Sequence, residues 1–152
     1  MDFILDRLAI GDLSDAKDGP ILLECGITAI LNVAKEAHHE PDINYFDYYK
    51  VSIDDGQAMD LSHLSEAVDF IHSRIRNGKV LVHCLMGVSR SSTIVLCYLH
   101  ECGFSLREAM NLIKKKRPEA QPHIALYNSV REYYQKKEAE HRGEMVRDKT
   151  AL

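Results

Sequence analysis

The chain has 152 residues, 45% of them hydrophobic and 28% charged, with a formal net charge of −4 at pH 7. That length and apolar content suit one domain around one core. The acidic balance argues against a broad nucleic-acid-binding surface, and no apolar run approaches the roughly 20 residues of a membrane span. Met1 to Arg7 lacks the basic-then-apolar order of a signal peptide. The four cysteines, Cys25, Cys84, Cys97 and Cys102, form no CxxC pair and no zinc spacing with histidines. A reducing, cytoplasmic setting is expected, with the nucleus also open. No metal or other cofactor, no membrane partner and no nucleic-acid partner is expected, and the oligomeric state is left open.

Residues 3–10 read as an edge strand or hairpin ended by Gly11-Asp12. Ser14 is placed to cap a short helix reaching Cys25, with Gly26 as its stop. Ala29 to Val33 is a compact apolar strand. Asn44 to Val51 is aromatic and β-branched, hence another strand. Asp54 to Met59 has turn composition. Leu61, Leu64, Val68, Ile71 and Ile75 recur at steps of three and four, which predicts one face of a helix ended by Asn77-Gly78. Lys79 to Val82 reads as a short buried strand, and Ser91 to His100 as a helix running to Cys102 and stopped by Gly103. Ser105-Leu106-Arg107-Glu108 is a capping box that opens another helix, closed by Pro118. The run 124–137 supplies the last helix. Residues 138–152, with mixed charges and few apolar side chains, read as a flexible C-terminal tail after a domain spanning 1–137. Strands alternate with helices, so the fold class is α/β, a single domain with a mainly parallel central sheet flanked by helices.

The most informative segment is His83-Cys84-Leu85-Met86-Gly87-Val88-Ser89-Arg90. It joins a strand's end to a helix's start. Backbone N–H groups at such a junction point into a concavity, and the helix dipole favours negative charge there. A phosphate fits this nest, and so does a thiolate at its base. Arg90 is placed to fork two donors onto phosphate oxygens. A surface arginine is a poor alternative, because a cation at a helix start opposes the dipole unless an anion is bound. Anion cradle, nucleophile and clamp together describe phosphoryl transfer to sulfur.

His-Cys-x5-Arg followed by Ser91 resembles the signature loop of the protein tyrosine phosphatase superfamily, and the form HCLMGVSRS is most similar to its dual-specificity branch. Gly26 to Val33 is similar to that branch's early strand, and Lys116-Arg117-Pro118 with Gln121-Pro122-His123 resembles its late segment. The resemblance covers roughly residues 3 to 136. It implies a cysteine-dependent phosphatase fold. Cys84 is then the nucleophile that forms a phosphocysteine, and Arg90 the clamp for the equatorial oxygens. The N–H groups of Leu85, Met86, Gly87, Val88 and Ser89 line the phosphate site. His83 orders the loop from behind. Ser91 is placed to stabilise the cysteine sulfur as leaving group, with a plain helix-start serine as the alternative. Asn32 falls on the family's structural asparagine. Family members place an aspartate with five residues between it and the leucine that opens the amphipathic helix. Asp55 meets that spacing to Leu61 and is chosen as the general acid over its neighbour Asp54. His123 stands where the family has asparagine, a departure with no assigned role. The basic run Lys114 to Arg117 reads as a helix C-terminus that favours cations.

The signature loop carries no lysine, unlike the lipid-phosphatase members, and ends Arg-Ser-Ser rather than in the Arg-Thr-Gly of RNA triphosphatases. The chain is too short for the insertions of classical tyrosine-specific enzymes or for an added kinase-docking domain. The resemblance is therefore to the small, atypical dual-specificity phosphatases. It implies phosphorylated proteins as substrates, with phosphotyrosine and phosphoserine or phosphothreonine monoesters hydrolysed. A non-catalytic phosphoprotein-binding module and a rhodanese-type sulfur transferase are the alternatives from other classes.

Overall fold

The structure is a computed structural model that describes residues 1–150, with side-chain surroundings for 1–143. Strands β1 (Asp2–Leu5) and β2 (Leu8–Gly11) form an antiparallel hairpin. Strands β3 (Ile27–Asn32), β4 (Asp47–Lys50) and β5 (Lys79–His83) follow, and the sheet order is β1-β2-β5-β3-β4. Every pairing except the hairpin is parallel. β5 sits between β2 and β3, with His83 in register with both Gly11 and Asn32.

The side-chain period of two on β5 divides the core. Val80 and Val82 point to the larger apolar cluster, with Leu81 in the smaller one on the other face. The larger cluster gathers helices α3 (Leu61–Ile75), α4 (Arg90–Glu101), α5 (Leu106–Lys116) and α6 (Ile124–Thr150). The smaller holds Ala16 and Leu22 from α1 (Leu13–Lys17) and α2 (Gly19–Glu24). A strand covered on both faces reads as a continuous apolar run, as Val80-Leu81-Val82 does. Full burial of each such side chain stabilises by roughly 1.5–3 kcal/mol. α4 is buried at every position from Arg90 to Leu99, so it is the central helix of the larger layer.

Four expectations need correction. The single helix from Ser14 to Cys25 is two helices. Asp12, not Ser14, caps α1: its carboxylate accepts from Asp15 N at 2.8 Å, and that of Asp15 accepts from Asp12 N at 3.0 Å. Asp18 then caps α2 by accepting from Ile21 N, with Pro20 in its first turn, where a missing N–H costs least. β4 is shorter than Asn44 to Val51, because Asp42 folds the preceding residues into a turn by accepting from Asn44 N. Leu61 lies at the first position of α3, 44% exposed and off the buried face. The last helix does not stop at Lys137. It runs to Thr150 through residues such as Lys, Glu and Ala, whose helix propensity needs no apolar stripe. The expected tail therefore begins inside α6, and its last two residues lie outside the described ones.

Asn32, at the C-terminal end of β3, is fully buried. Its Nδ2 donates to Ala37 O at 2.8 Å and to Tyr48 Oη at 3.2 Å, and its Oδ1 accepts from Ala34 N at 3.0 Å. These bonds shape the turn that carries Glu36. Asn32→Ala leaves the buried Ala34 N–H without its acceptor, a loss of about 1–3 kcal/mol. Urea unfolding at pH 7 is expected to show it, and an unchanged midpoint would contradict it.

Candidate active site

The loop from Cys84 to Ser89 leaves the C-terminal end of β5 and enters α4. Its carbonyls are held from outside. His83 Nδ1 lies 3.0 Å from Cys84 O, which fixes that nitrogen as the donor. Leu13 N donates to Leu85 O at 3.1 Å, Arg117 Nε to Gly87 O at 2.8 Å and Gln121 N to Val88 O at 2.7 Å. In a trans peptide the C=O and the following N–H point opposite ways. With these four carbonyls directed outward, the N–H groups of Leu85, Met86, Val88 and Ser89 face the concave side. Gly87 N donates to Cys84 Sγ at 3.3 Å. Gly87 has φ +68°, and a Cβ there would lie 2.5 Å from Arg117 Nη2 and 2.7 Å from Gly11 O, so only glycine fits.

Cys84 is buried beneath the loop, and its sulfur lies 3.2 Å from Ser91 Oγ, itself fully buried. The sulfur thus has a backbone donor and a hydroxyl within hydrogen-bond reach. His83 is completely enclosed. Burial pushes its imidazole below the ordinary histidine range, against the smaller opposing effect of its bond to Cys84 O, so it is neutral at pH 7.

Arg90 is 4% exposed at the first position of α4. Its Nη1 donates to Glu36 Oε2 at 2.7 Å and to Ile53 O at 3.0 Å, and its Nη2 pairs with Glu36 Oε1. Nε is buried with no partner. One edge of the guanidinium is thus anchored to the protein, and a donor is left over for an anion. The hydrogen bonds from Arg90 hold the Glu36 carboxyl down at about 2. In return, Glu36 raises Arg90 further, against burial.

Asp55 and Asp54 are both exposed but face different partners. Asp55 Oδ1 accepts from Ser89 Oγ at 2.8 Å. Asp54 turns to Lys35 at 3.6 Å. Glu36, Asp55, Cys84, Leu85, Met86, Val88, Ser89 and Arg90 line a cleft of about 440 Å³. The structure therefore brings Cys84, Arg90, Asp55, Ser91 and the loop residues to one place, with His83 behind. It places Asp54 outside the cleft lining. Among the described residues no group of three or more His, Cys, Asp or Glu side chains is arranged to hold a metal ion.

Sequence reading did not single out Glu36. Its only signal is position, just past the end of β3 and beside the end of β5, where ligands of parallel sheets collect. The basic run does lie at the C-terminal end of α5, but its members differ: Lys114 to Lys116 are exposed, whereas Arg117 is buried against Asp2, at 2.7 Å, and the loop.

A family model described as "Dual specificity phosphatase, catalytic domain" matches residues 8–136. The chain belongs to the dual specificity phosphatases. These are cysteine-dependent phosphoric monoester hydrolases. Dual specificity protein phosphatase 22-A of Danio rerio is 32% identical over 144 residues, which cover 93% of this chain and 68% of that protein. Dual specificity protein phosphatase 5 of Homo sapiens is 36% identical over 133 residues, 86% of this chain but 34% of that protein. The crystal structure of human DUSP28 matches with a TM-score of 0.84 at 26% identity, over 92% of this chain and 99% of that one. Among the described residues of this dual specificity phosphatase, no helix is long and apolar enough to cross a membrane.

Because the folded-state value of Glu36 is depressed, its pairing with Arg90 contributes fully above its ordinary value of 4.5 and is lost as pH falls through about 2. The carboxylate is 48% exposed, so solvent screens the pair and its share of stability is small. The Tm difference between wild type and Glu36→Gln is expected to be constant above about pH 5 and to shrink toward pH 2. A difference that persists unchanged at pH 2 would contradict this.

Proposed function

We infer that the phosphatase acts on phosphorylated proteins and that Cys84 is its nucleophile. The observation that carries this reading is the convergence of Cys84 Sγ, Gly87 N and Ser91 Oγ beneath a loop whose carbonyls are pinned outward. The thiolate attacks phosphorus, a sulfur–phosphorus bond forms and the ester P–O bond breaks. Asp55 gives the departing oxygen its proton. The loop N–H groups and the free Nε of Arg90 meet the equatorial oxygens, where charge develops. Asp55, now a carboxylate, takes a proton from water as that water attacks phosphorus. The sulfur–phosphorus bond breaks, phosphate leaves, and the Ser91 hydroxyl donates to the returning thiolate.

The cleft walls support a protein substrate. Their ionisable side chains, apart from Cys84, are the carboxylates Glu36 and Asp55 and the single cation Arg90, a poor match to a polyanionic lipid head group. The exposed side chains of Leu85 and Met86 offer apolar surface at the mouth. Both phosphotyrosine and phosphoserine or phosphothreonine are taken as substrates. The catalytic unit is taken as residues 1–137, with 138–152 as its tail, and the cytoplasm or nucleus as its place of action.

Cys84→Ser is expected to abolish turnover of 4-nitrophenyl phosphate while vanadate still binds. Retained kcat would remove Cys84 as nucleophile. Arg90→Lys keeps the charge but loses the planar fork, with an expected loss of about 10²-fold in kcat/KM. Near-normal kinetics would make Arg90 structural. Asp55→Asn is expected to slow phosphothreonine peptides far more than the activated aryl ester, whose leaving group needs little protonation. If Asp54→Asn gives that pattern and Asp55→Asn does not, the acid is Asp54. Thiosulfate as a sulfur donor, with no aryl phosphate turnover, would point to a sulfur transferase.

A further inference from the structure

We propose that the hydroxyl of Ser89 is a positioning group for Asp55, and that the segment around His123 fixes its direction. The inference rests on the reading of Asp55 as general acid. Ser89 is the N-cap residue of α4, yet its side chain makes no capping hydrogen bond. A serine at that position ordinarily accepts from an N–H of the first helical turn. Here the hydroxyl turns away. It accepts from His123 N at 2.8 Å and donates to Asp55 Oδ1 at 2.8 Å. A hydroxyl has one proton. With an N–H occupying its oxygen, and a carboxylate as its other neighbour, that proton points to Asp55. Oδ1 is thereby engaged, and Oδ2 is the oxygen left to carry the catalytic proton.

His123 is itself held. Its Nδ1 accepts from Ala125 N at 3.1 Å, in the first turn of α6. Its ring lies over Gly56, the residue after Asp55, so that a Cβ on Gly56 would sit 3.8 Å from Nε2. The far end of the same turn is tied to the same helix, because Met59 N donates to Ser129 Oγ at 2.8 Å. Gln121 N holds Val88 O in the phosphate loop at 2.7 Å. The start of α6 thus seats both the acid turn and the phosphate loop, and the Ser89 hydroxyl is the direct bond between them. This gives the 121–123 segment a task in setting where the acid stands.

The test compares Ser89→Ala and Ser89→Thr on a phosphothreonine peptide and on 4-nitrophenyl phosphate, with vanadate inhibition as the measure of an intact phosphate loop. Ser89→Ala is expected to lose about tenfold more kcat on the peptide than on the aryl ester, the scale of one hydrogen bond to a charged group. Threonine, which keeps the hydroxyl, restores the ratio. Added to Asp55→Asn, Ser89→Ala widens the ratio no further, because both changes remove one interaction. Equal losses on the two substrates, or none, overturn the proposal, as does a ratio that threonine does not restore. If Asp55→Asn widens the ratio and Ser89→Ala does not, this inference alone fails. If Asp55→Asn leaves the ratio unchanged, the acid assignment fails and the proposal with it.

Discussion

Everything at the site depends on where four carbonyl oxygens point. An isolated six-residue loop has no reason to turn all its N–H groups to one side, since like dipoles converging on a point repel. In this chain Cys84 O, Leu85 O, Gly87 O and Val88 O each meet a donor on the outside. Each donor comes from a different place: the end of β5, the start of α1, the residue after α5 and the segment before α6. The cost of converging the N–H groups is thus met by the fold before any anion arrives, which is the physical content of preorganisation. Within the loop, Gly87 is where the backbone approach is too close for a side chain.

The second constraint is a buried cation. A guanidinium taken out of water without a partner is strongly destabilising. Glu36 offsets that cost from a half-exposed position, while Ile53 O takes a further donor of Arg90. The arrangement holds the arginine on one side and leaves Nε unpaired on the other. Arg117 is the matching case on the outer face of the loop. It is buried too, and it is neutralised by Asp2 at 2.7 Å while its Nε serves Gly87 O. Two buried arginines, each with its carboxylate, bracket the loop from inside and outside.

The turn that carries the proposed acid is the least enclosed part of the site. Asp54 to Ala58 are exposed, with the His123 ring beside Gly56, and the stretch is tied to α6 where Met59 N donates to Ser129 Oγ. Two adjacent aspartates there are chemically alike. Their difference is made by neighbours: Lys35 draws one away and Ser89 holds the other in the cleft.

Local sequence was sufficient wherever the relevant groups are covalent neighbours or share one element. The loop from Cys84 to Arg90, the capping box of Ser105 and Glu108, the buried run of β5 and the stop at Gly103 follow from backbone geometry within a few residues. The spacing from Asp55 to Leu61 singled out one of two aspartates by resemblance rather than by physics. Glu36, Arg117, Leu13 and the Ser89 hydroxyl could not be assigned that way. Arg90 and Glu36 are 54 residues apart, Arg117 and Gly87 30, and Ser89 and Asp55 34. No periodicity or propensity encodes a hydrogen bond over such separations. The sequence by itself determined the proposed phosphate-binding chemistry, because the proposed nucleophile, turn and clamp lie on one short segment. Only the tertiary structure decided what holds that segment in its active shape, because each restraint comes from a different element that parallel strand pairing brings to the same end of the sheet.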